Sequence, residues 1–377
     1  MSQHRDAALF HAIENPQAAL AFYNRSEQHI PYSLLDESSL RALASNNAPL
    51  ALLQLAQRLV SAKDYRGAQV YWQKALDYDV ASMLPFWHTL CGLLKEHQQW
   101  QALAVIRQSV KLPEDAELMW RINEGLPVDS VRDNTSIELG FGTALAHAQA
   151  GTCPYNVLLL GDSLAAMEQL QRIKSQYEAQ PEPQSGLICL SQPNYIGGHI
   201  ECALNDAQFS LCDWRRIAAK PVDFPQGFDF IIMMTQSGLA NVRAGIMHMS
   251  VQSKYHTFLH ELLHFSGFTD EYPAPMKQQR YCEQQGHLFA NLYVGDSAPK
   301  GWAQSDYCTN GRGYKPTSAV SIMEHSEVGL SQPYRELWVE QLENSQKQLR
   351  FADWFFAISG NEKWRQYRLA LENKNNA

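Results

Sequence analysis

No run of apolar residues in this chain is long enough to cross a bilayer. The stretch from Phe228 to Met234 falls far short of the ~20 residues that a transmembrane helix needs. An excess of basic charge is missing too. The 31 Lys and Arg are outnumbered by 39 Asp and Glu, and the resulting net charge of −8 argues against a nucleic-acid binder. There is no CxxC pair, so nothing points to a zinc site built on thiolates. The opening residues, Met1-Ser2-Gln3-His4-Arg5-Asp6, lead into a polar amphipathic segment without the apolar stretch of a signal peptide, which makes the cytoplasm the default expectation.

The cysteines pull the other way. Cys91 stands alone in the N-terminal half, whereas Cys153, Cys189, Cys202, Cys212, Cys282 and Cys308 all fall in the C-terminal half. An even set confined to one region suggests three disulfides and a periplasmic or secreted protein, an expectation equal in weight to the cytoplasmic one. Cys202 with Cys212, and Cys282 with Cys308, are the expected pairs, since each brackets a loop-like stretch. Cys91 is left as a buried thiol.

The rest of the composition is that of an ordinary globular protein, and 377 residues allow two or three domains. Residues 1–125 read as helical. Apolar positions recur at three and four in Leu52, Leu55, Ala56, Leu59 and Val60, and again in Leu90, Leu93 and Leu94. The segment Asp64–Tyr71 aligns with Gln99–Ile106 at an offset of 35, near the tetratricopeptide period, with Ala68, Tyr71 and Ala75 at second-helix positions. Such helix pairs can present a groove to a protein partner; they can also simply cap an enzyme. Residues 126–152 read as a linker with a short helix near 136–150.

From residue 153 to 377 the pattern is α+β. Expected strands run from Asn156 to Leu160, Leu187 to Leu190 and Phe228 to Met234, with an edge strand from Val242 to Met249. A helix runs from Ser163 to Ala179 and a second from Ser253 to Ser266. Residues 273–320 are read as loops. Helices return from about Pro333 to Glu372, with Trp338, Leu342, Trp354 and Phe355 as core candidates.

The second of those helices carries the chemistry. It contains His260-Glu261-Leu262-Leu263-His264, followed by Gly267 and Asp270. Two histidines four apart lie on one helical face, one turn apart, so both imidazoles can reach one ion. Glu261 stands beside them, where a carboxylate can take a proton from water that the metal activates. Gly267 permits a backbone conformation with φ > 0 that ends the helix. Asp270 then follows six residues after His264, where the returning chain can offer an oxygen. Three protein ligands form the open set of a catalytic Zn²⁺ site.

HExxHxxGxxD resembles the metzincin pattern, with Asp in place of the usual third histidine. Gly267-Phe268-Thr269-Asp270-Glu271-Tyr272 is similar to the bacterial IgA-peptidase-type metallopeptidases, and Asn156–Asp162 resembles the first strand of their catalytic domain. The resemblance covers roughly residues 153–340. It implies a zincin-like domain, a mixed sheet with an active-site helix, behind an all-α helical-repeat domain. It further implies a zinc metallopeptidase acting on protein or peptide substrates, with His260, His264 and Asp270 as ligands and Glu261 as general base. Ser321-Ile322-Met323-Glu324 resembles a Met-turn, which would place Met323 as an apolar floor under the ion. His325 or Tyr334 would then stabilise the developing oxyanion. The family's glycine-rich edge segment is longer than Ser237-Gly238-Leu239-Ala240, so no substrate carries over.

Several alternatives stand beside this reading. Glu283 is the competing third ligand, because a glutamate from a downstream helix serves gluzincin-like sites; His287 and Glu271 are weaker competitors. His256, one turn before His260, is too far along the helix axis to join His264 on one ion and is expected nearby or at the surface. In function, the alternatives are a helical-repeat adaptor whose zincin-like module is inactive, and a zinc amidase acting on a non-protein amide such as a cell-wall cross-link.

Overall fold

The computed structural model describes residues 13–26, 30–128, 148–214, 225 and 227–344. The chain divides into two compact units, Met1–Asn123 and Glu124–Ala377. The protein is α+β: the first unit is helical and the second carries the sheets.

In the first unit, helices α1 (Pro16–Ser26), α2 (Glu37–Ser45), α3 (Pro49–Ser61), α4 (Tyr65–Ala75), α5 (Leu84–Glu96), α6 (Trp100–Ile106) and α7 (Glu114–Asn123) pack through apolar stripes. Asp36 caps α2 by accepting from the Ser39 amide, and Asp64 caps α4 by accepting from Gly67. One turn recurs. Lys63 and Gln98, 35 residues apart, both have positive φ, at 63° and 55°. The next residue of each returns its amide to a carbonyl five residues back, Asp64 to Leu59 and Gln99 to Leu94, each at 2.8 Å. The sequence offset is therefore an offset of backbone geometry. Ala68 and Ala75 are buried as their small size suggests, but Trp72 rather than Tyr71 fills the core between them.

In the second unit, a five-stranded sheet runs in the order β2-β1-β5-β7-β6. Strand β1 (Tyr155–Gly161) pairs in parallel with β2 (Ile188–Tyr195) and β5 (Phe230–Thr235), and β5 pairs in parallel with β7 (Ile246–Ser250). Strand β1 is buried along its whole length, as a central parallel strand covered on both faces must be. Alternation divides its side chains. Tyr155, Val157 and Leu159 face the core formed with helices α8 (Leu164–Ala179) and α9 (Tyr255–His264), while Leu158 and Leu160 join Trp214, Ile231 and Met233 on the other face. Ser163 caps α8 through the Ala166 amide.

The expected edge strand from Val242 to Met249 is instead a hairpin. Ala244 and Gly245, at φ 51° and 75°, form a two-residue turn between β6 (Asn241–Arg243) and β7, so β6 alone is the antiparallel edge. A second hairpin, β3 (Glu201–Leu204) with β4 (Ser210–Asp213), is closed by the Cys202–Cys212 disulfide.

Residues 273–320 are not mere loops. They hold a four-stranded sheet in the order β10-β11-β9-β8, made from β8 (Gly286–Phe289), β9 (Leu292–Val294), β10 (Ala303–Gln304) and β11 (Gly313–Lys315). Its small core comprises Ala274, Leu292, Val294, Tyr307 and the Cys282–Cys308 disulfide. Strands of two to four residues are too short to register as a period in sequence.

Helix α10 (Gln332–Glu343) packs Trp338 and Leu342 onto the α9 core, and the Trp338 Nε1 donates to Ser266 Oγ at 2.9 Å. Trp354, Phe355 and most of the helix expected near 136–150 lie outside the described residues, and so does the N-terminal segment from Met1 to Asp6. Cys153–Cys189 completes three disulfides, with Cys91 free and buried. Three such bonds fit an oxidising compartment better than the cytoplasmic default. Among the described residues, no helix is long and apolar enough to cross a membrane.

Candidate metal centre

Helix α9 buries Phe258, Leu259, Leu262 and Leu263 in the core, and this burial fixes the opposite side of the helix toward a cavity. His260, Glu261 and His264 line that cavity. The helix ends where Gly267 adopts φ 79° and returns its amide to the His264 carbonyl. A Cβ at Gly267 would meet nothing, so glycine is needed there for its backbone conformation and not for space. Asn291 then grips the outgoing chain: its Oδ1 accepts from the Thr269 amide and its Nδ2 donates to the Thr269 carbonyl, both at 2.8 Å. The grip brings Asp270 back over the helix.

His260 Nε2 lies 3.2 Å and His264 Nε2 3.5 Å from the same oxygen, Asp270 Oδ1. The far nitrogens decide what this means. His260 Nδ1 donates to the Ile322 carbonyl at 2.8 Å, and His264 Nδ1 donates to the Phe268 carbonyl at 2.9 Å. With the ring proton committed there, a neutral imidazole presents a lone pair at Nε2. Two lone pairs and a carboxylate oxygen then converge within 4.8 Å of one another, and Asp270 Oδ1 is buried without a hydrogen-bond donor. Three convergent acceptors could hold a metal ion, and two imidazoles with one carboxylate are a donor set that zinc accepts.

The electrostatics express the same demand. Burial disfavours a charged His264, but the negative charges of Asp270 and Glu261 beside it outweigh that and push the imidazole up to about 9. Burial likewise works against a charged Asp270, yet its two histidine neighbours hold the carboxyl far below the usual range. Burial raises the Glu261 carboxyl despite the opposing pull of His264 and His260, which makes it a stronger base than an exposed glutamate.

The cavity is about 450 Å³. Its walls come from the edge strand β6, through Asn241 and Val242; from Phe209 at the tip of the β3–β4 hairpin; from Phe289; and from Tyr272. Tyr272 had no role in the sequence reading, and its hydroxyl donates to Asp270 Oδ2 at 2.6 Å. Its position two residues after Asp270, on the same side of an extended chain, is the signal that could have found it.

The other sequence candidates lie elsewhere. Glu283 is exposed on a 3₁₀ turn and does not join the ligand group, nor does His287, which is exposed and packs against Tyr293 and Trp302. His256 Nδ1 is 3.1 Å from Ser326 Oγ. His325 is exposed and outside the cavity wall, so the oxyanion role expected of it has no support from its position. The same role for Tyr334 is corrected outright: the residue is fully buried, and its hydroxyl donates to Glu271. Met323 is buried in the core with Leu259, Leu262 and Phe268. Glu271 is no ligand either. It is wholly buried and accepts from Asn291 Nδ2 at 2.7 Å and Ser321 Oγ at 2.5 Å as well as from Tyr334.

No protein-family model matches the chain, and neither does any curated protein.

Proposed function

We propose that the protein is a zinc-dependent metallopeptidase whose catalytic domain is zincin-like and akin to the metzincins. The observation that carries this reading is the convergence of His260 Nε2, His264 Nε2 and Asp270 Oδ1 in a cavity that Glu261 also lines. His260, His264 and Asp270 would hold the ion. When bound, zinc supplies Lewis acidity, which polarises a substrate carbonyl and acidifies water. Glu261 takes a proton from the attacking water as the new C–O bond forms, then passes it to the departing nitrogen as the amide C–N bond breaks, so the amine leaves neutral. The Ile322 and Phe268 carbonyls keep both imidazoles turned toward the site throughout.

A peptide substrate is favoured by β6. It is the antiparallel edge strand beside the cavity, and an extended chain can pair with such an edge. The N-terminal unit is read as tetratricopeptide-like on the strength of its recurring turn, and a protein partner for it belongs to the same proposal. The test is zinc content together with cleavage of a peptide library, run on wild type and Glu261→Gln. About one zinc per chain in both, with hydrolysis only in wild type, is the expected result. Equal turnover in the two proteins would reject Glu261 as the base. A wild type that binds zinc and cleaves no peptide would turn attention to non-protein amides.

A further inference from the structure

Asp270 divides its two oxygens between two tasks. Oδ1 faces both histidine Nε2 atoms, and Oδ2 accepts the Tyr272 hydroxyl at 2.6 Å. A carboxylate left free can turn about its last bond and offer a metal one oxygen or both. Here one oxygen already accepts the Tyr272 hydroxyl. The tyrosine itself is half exposed and lines the cavity wall. Its ring is therefore not needed to fill the core, which leaves the hydroxyl contact as the feature its position serves.

We infer that Tyr272 is a positioning residue that holds Asp270 as a one-oxygen ligand, leaving the rest of the ion's coordination to water and substrate. This rests on the proposed metal site, though not on any particular substrate. A phenol is suited to the task because it donates one directed hydrogen bond and carries no charge at neutral pH. It withdraws Oδ2 without competing for the ion. Removing the hydroxyl frees Oδ2 to rotate toward the ion, at the cost of the fixed geometry of Oδ1. Groups that orient a metal ligand from behind typically change metal affinity about ten- to a hundredfold when they are lost.

The experiment compares wild type, Tyr272→Phe and Asp270→Ala by two measurements that need no turnover. The first is zinc affinity in competition with a chromophoric chelator. The second is the visible absorption of Co²⁺ substituted for zinc, which reports ligand number and symmetry. Tyr272→Phe keeps the ring, so a merely structural role would leave both measurements unchanged. The expected result for Tyr272→Phe is zinc affinity about tenfold or more weaker, with a cobalt spectrum shifted in position and intensity. Asp270→Ala should lose binding far more severely. If Tyr272→Phe matches wild type in both affinity and spectrum while Asp270→Ala does not, the inference about Tyr272 is overturned and the metal site stands. If wild type itself binds neither ion, the metal site and this inference fall together.

Discussion

The sharpest structural test is Glu271→Ala. Glu271 is a carboxylate with no exposed surface, beside the proposed ligand Asp270, and it serves as a shared acceptor. Asn291 comes to it from the turn before β9, Ser321 from the turn before α10, and Tyr334 from α10 itself; Lys315 of β11 stands 3.9 Å away. Its amide donates to the Met323 carbonyl at 3.0 Å. One side chain thus ties the small sheet, the 321–323 turn and α10 to the segment that carries Asp270. Alanine would leave the Ser321 and Tyr334 hydroxyls and one Asn291 hydrogen without acceptors. Lys315 would keep Glu324 at 2.5 Å. Each buried donor left unsatisfied costs about 1–3 kcal/mol, and such losses do not simply add. We expect about 3–5 kcal/mol in total, the range for breaking a buried charged contact by removing one partner. Glu271→Gln keeps the shape and one oxygen and should cost about 1–2 kcal/mol. The assay is urea unfolding of chelator-treated protein with its disulfides intact, where Glu271→Ala should lower the midpoint by about 1–2 M. Zinc affinity should fall in parallel, because the turn that Ser321 anchors also supplies the Ile322 carbonyl that orients His260. A loss below about 1 kcal/mol for Glu271→Ala would refute the reasoning, since a fully buried acceptor of three donors cannot be that cheap to delete.

Asp270→Ala should abolish measurable zinc binding, while Glu283→Ala should leave it within about twofold of wild type, an effect within the range of an exposed charge; the reverse pattern in a chelator competition would restore Glu283 as the ligand. His248 on β7 is buried with neither ring nitrogen hydrogen-bonded, and burial, helped by Arg243, lowers its pKa to about 4. The unfolded chain therefore protonates first as pH falls from about 6.5, and about 3 kcal/mol of stability should be lost on the way to pH 4. His248→Leu should show a correspondingly smaller loss in urea unfolding across that window, and an unchanged slope would contradict the burial of this ring. Thiol titration of unreduced protein should find no fast-reacting thiol when folded, because burial pushes Cys91 up to about 12, and one thiol when unfolded; seven would mean that none of the disulfides forms. Replacing both Cys282 and Cys308 with serine, which opens a loop with a sequence separation of 26, should cost about 3 kcal/mol in the same unfolding assay.

What could be read from the chain alone follows from the range of each signal. Strands β1 and β5 and helices α8 and α9 are long, strongly patterned and bounded by Ser163 or Gly267, and their sequence bounds fall within a few residues of the structural ones. The proposed ligand set is compact for the same reason. His260, His264 and Asp270 span eleven residues, so helix periodicity and one glycine suffice to bring them together. The hairpin of β6 and β7 escaped because its turn is Ala244-Gly245, without the asparagine or aspartate that usually marks such a turn. The sheet within 273–320 escaped because its strands are two to four residues long and are held in part by a disulfide, which leaves no hydrophobic period to see. The role expected of Tyr334 failed over distance. Its partner Glu271 is 63 residues away, and nothing in local spacing could show that the phenol points into the core and not the cavity.

Asp270, Glu271 and Tyr272 show how much one change of side can decide. The three are consecutive, and their surroundings alternate: Asp270 is half buried at the cavity, Glu271 has no exposed surface, and Tyr272 is half exposed at the cavity again. Asp270 and Glu271 are both carboxylates, so composition cannot distinguish the one at the cavity from the buried anchor. The distinction comes from Gly267, whose positive φ sets the direction in which the chain leaves α9, and from Asn291, which clamps Thr269 on both its amide and its carbonyl. Together they fix the register at Thr269, and every residue after it inherits a side. Glu271, facing the other way, ties the same segment to the turn that orients His260. In this site the proposed ligand and the scaffold that holds it are adjacent residues on opposite sides of one segment, and a slip of one position would exchange their environments.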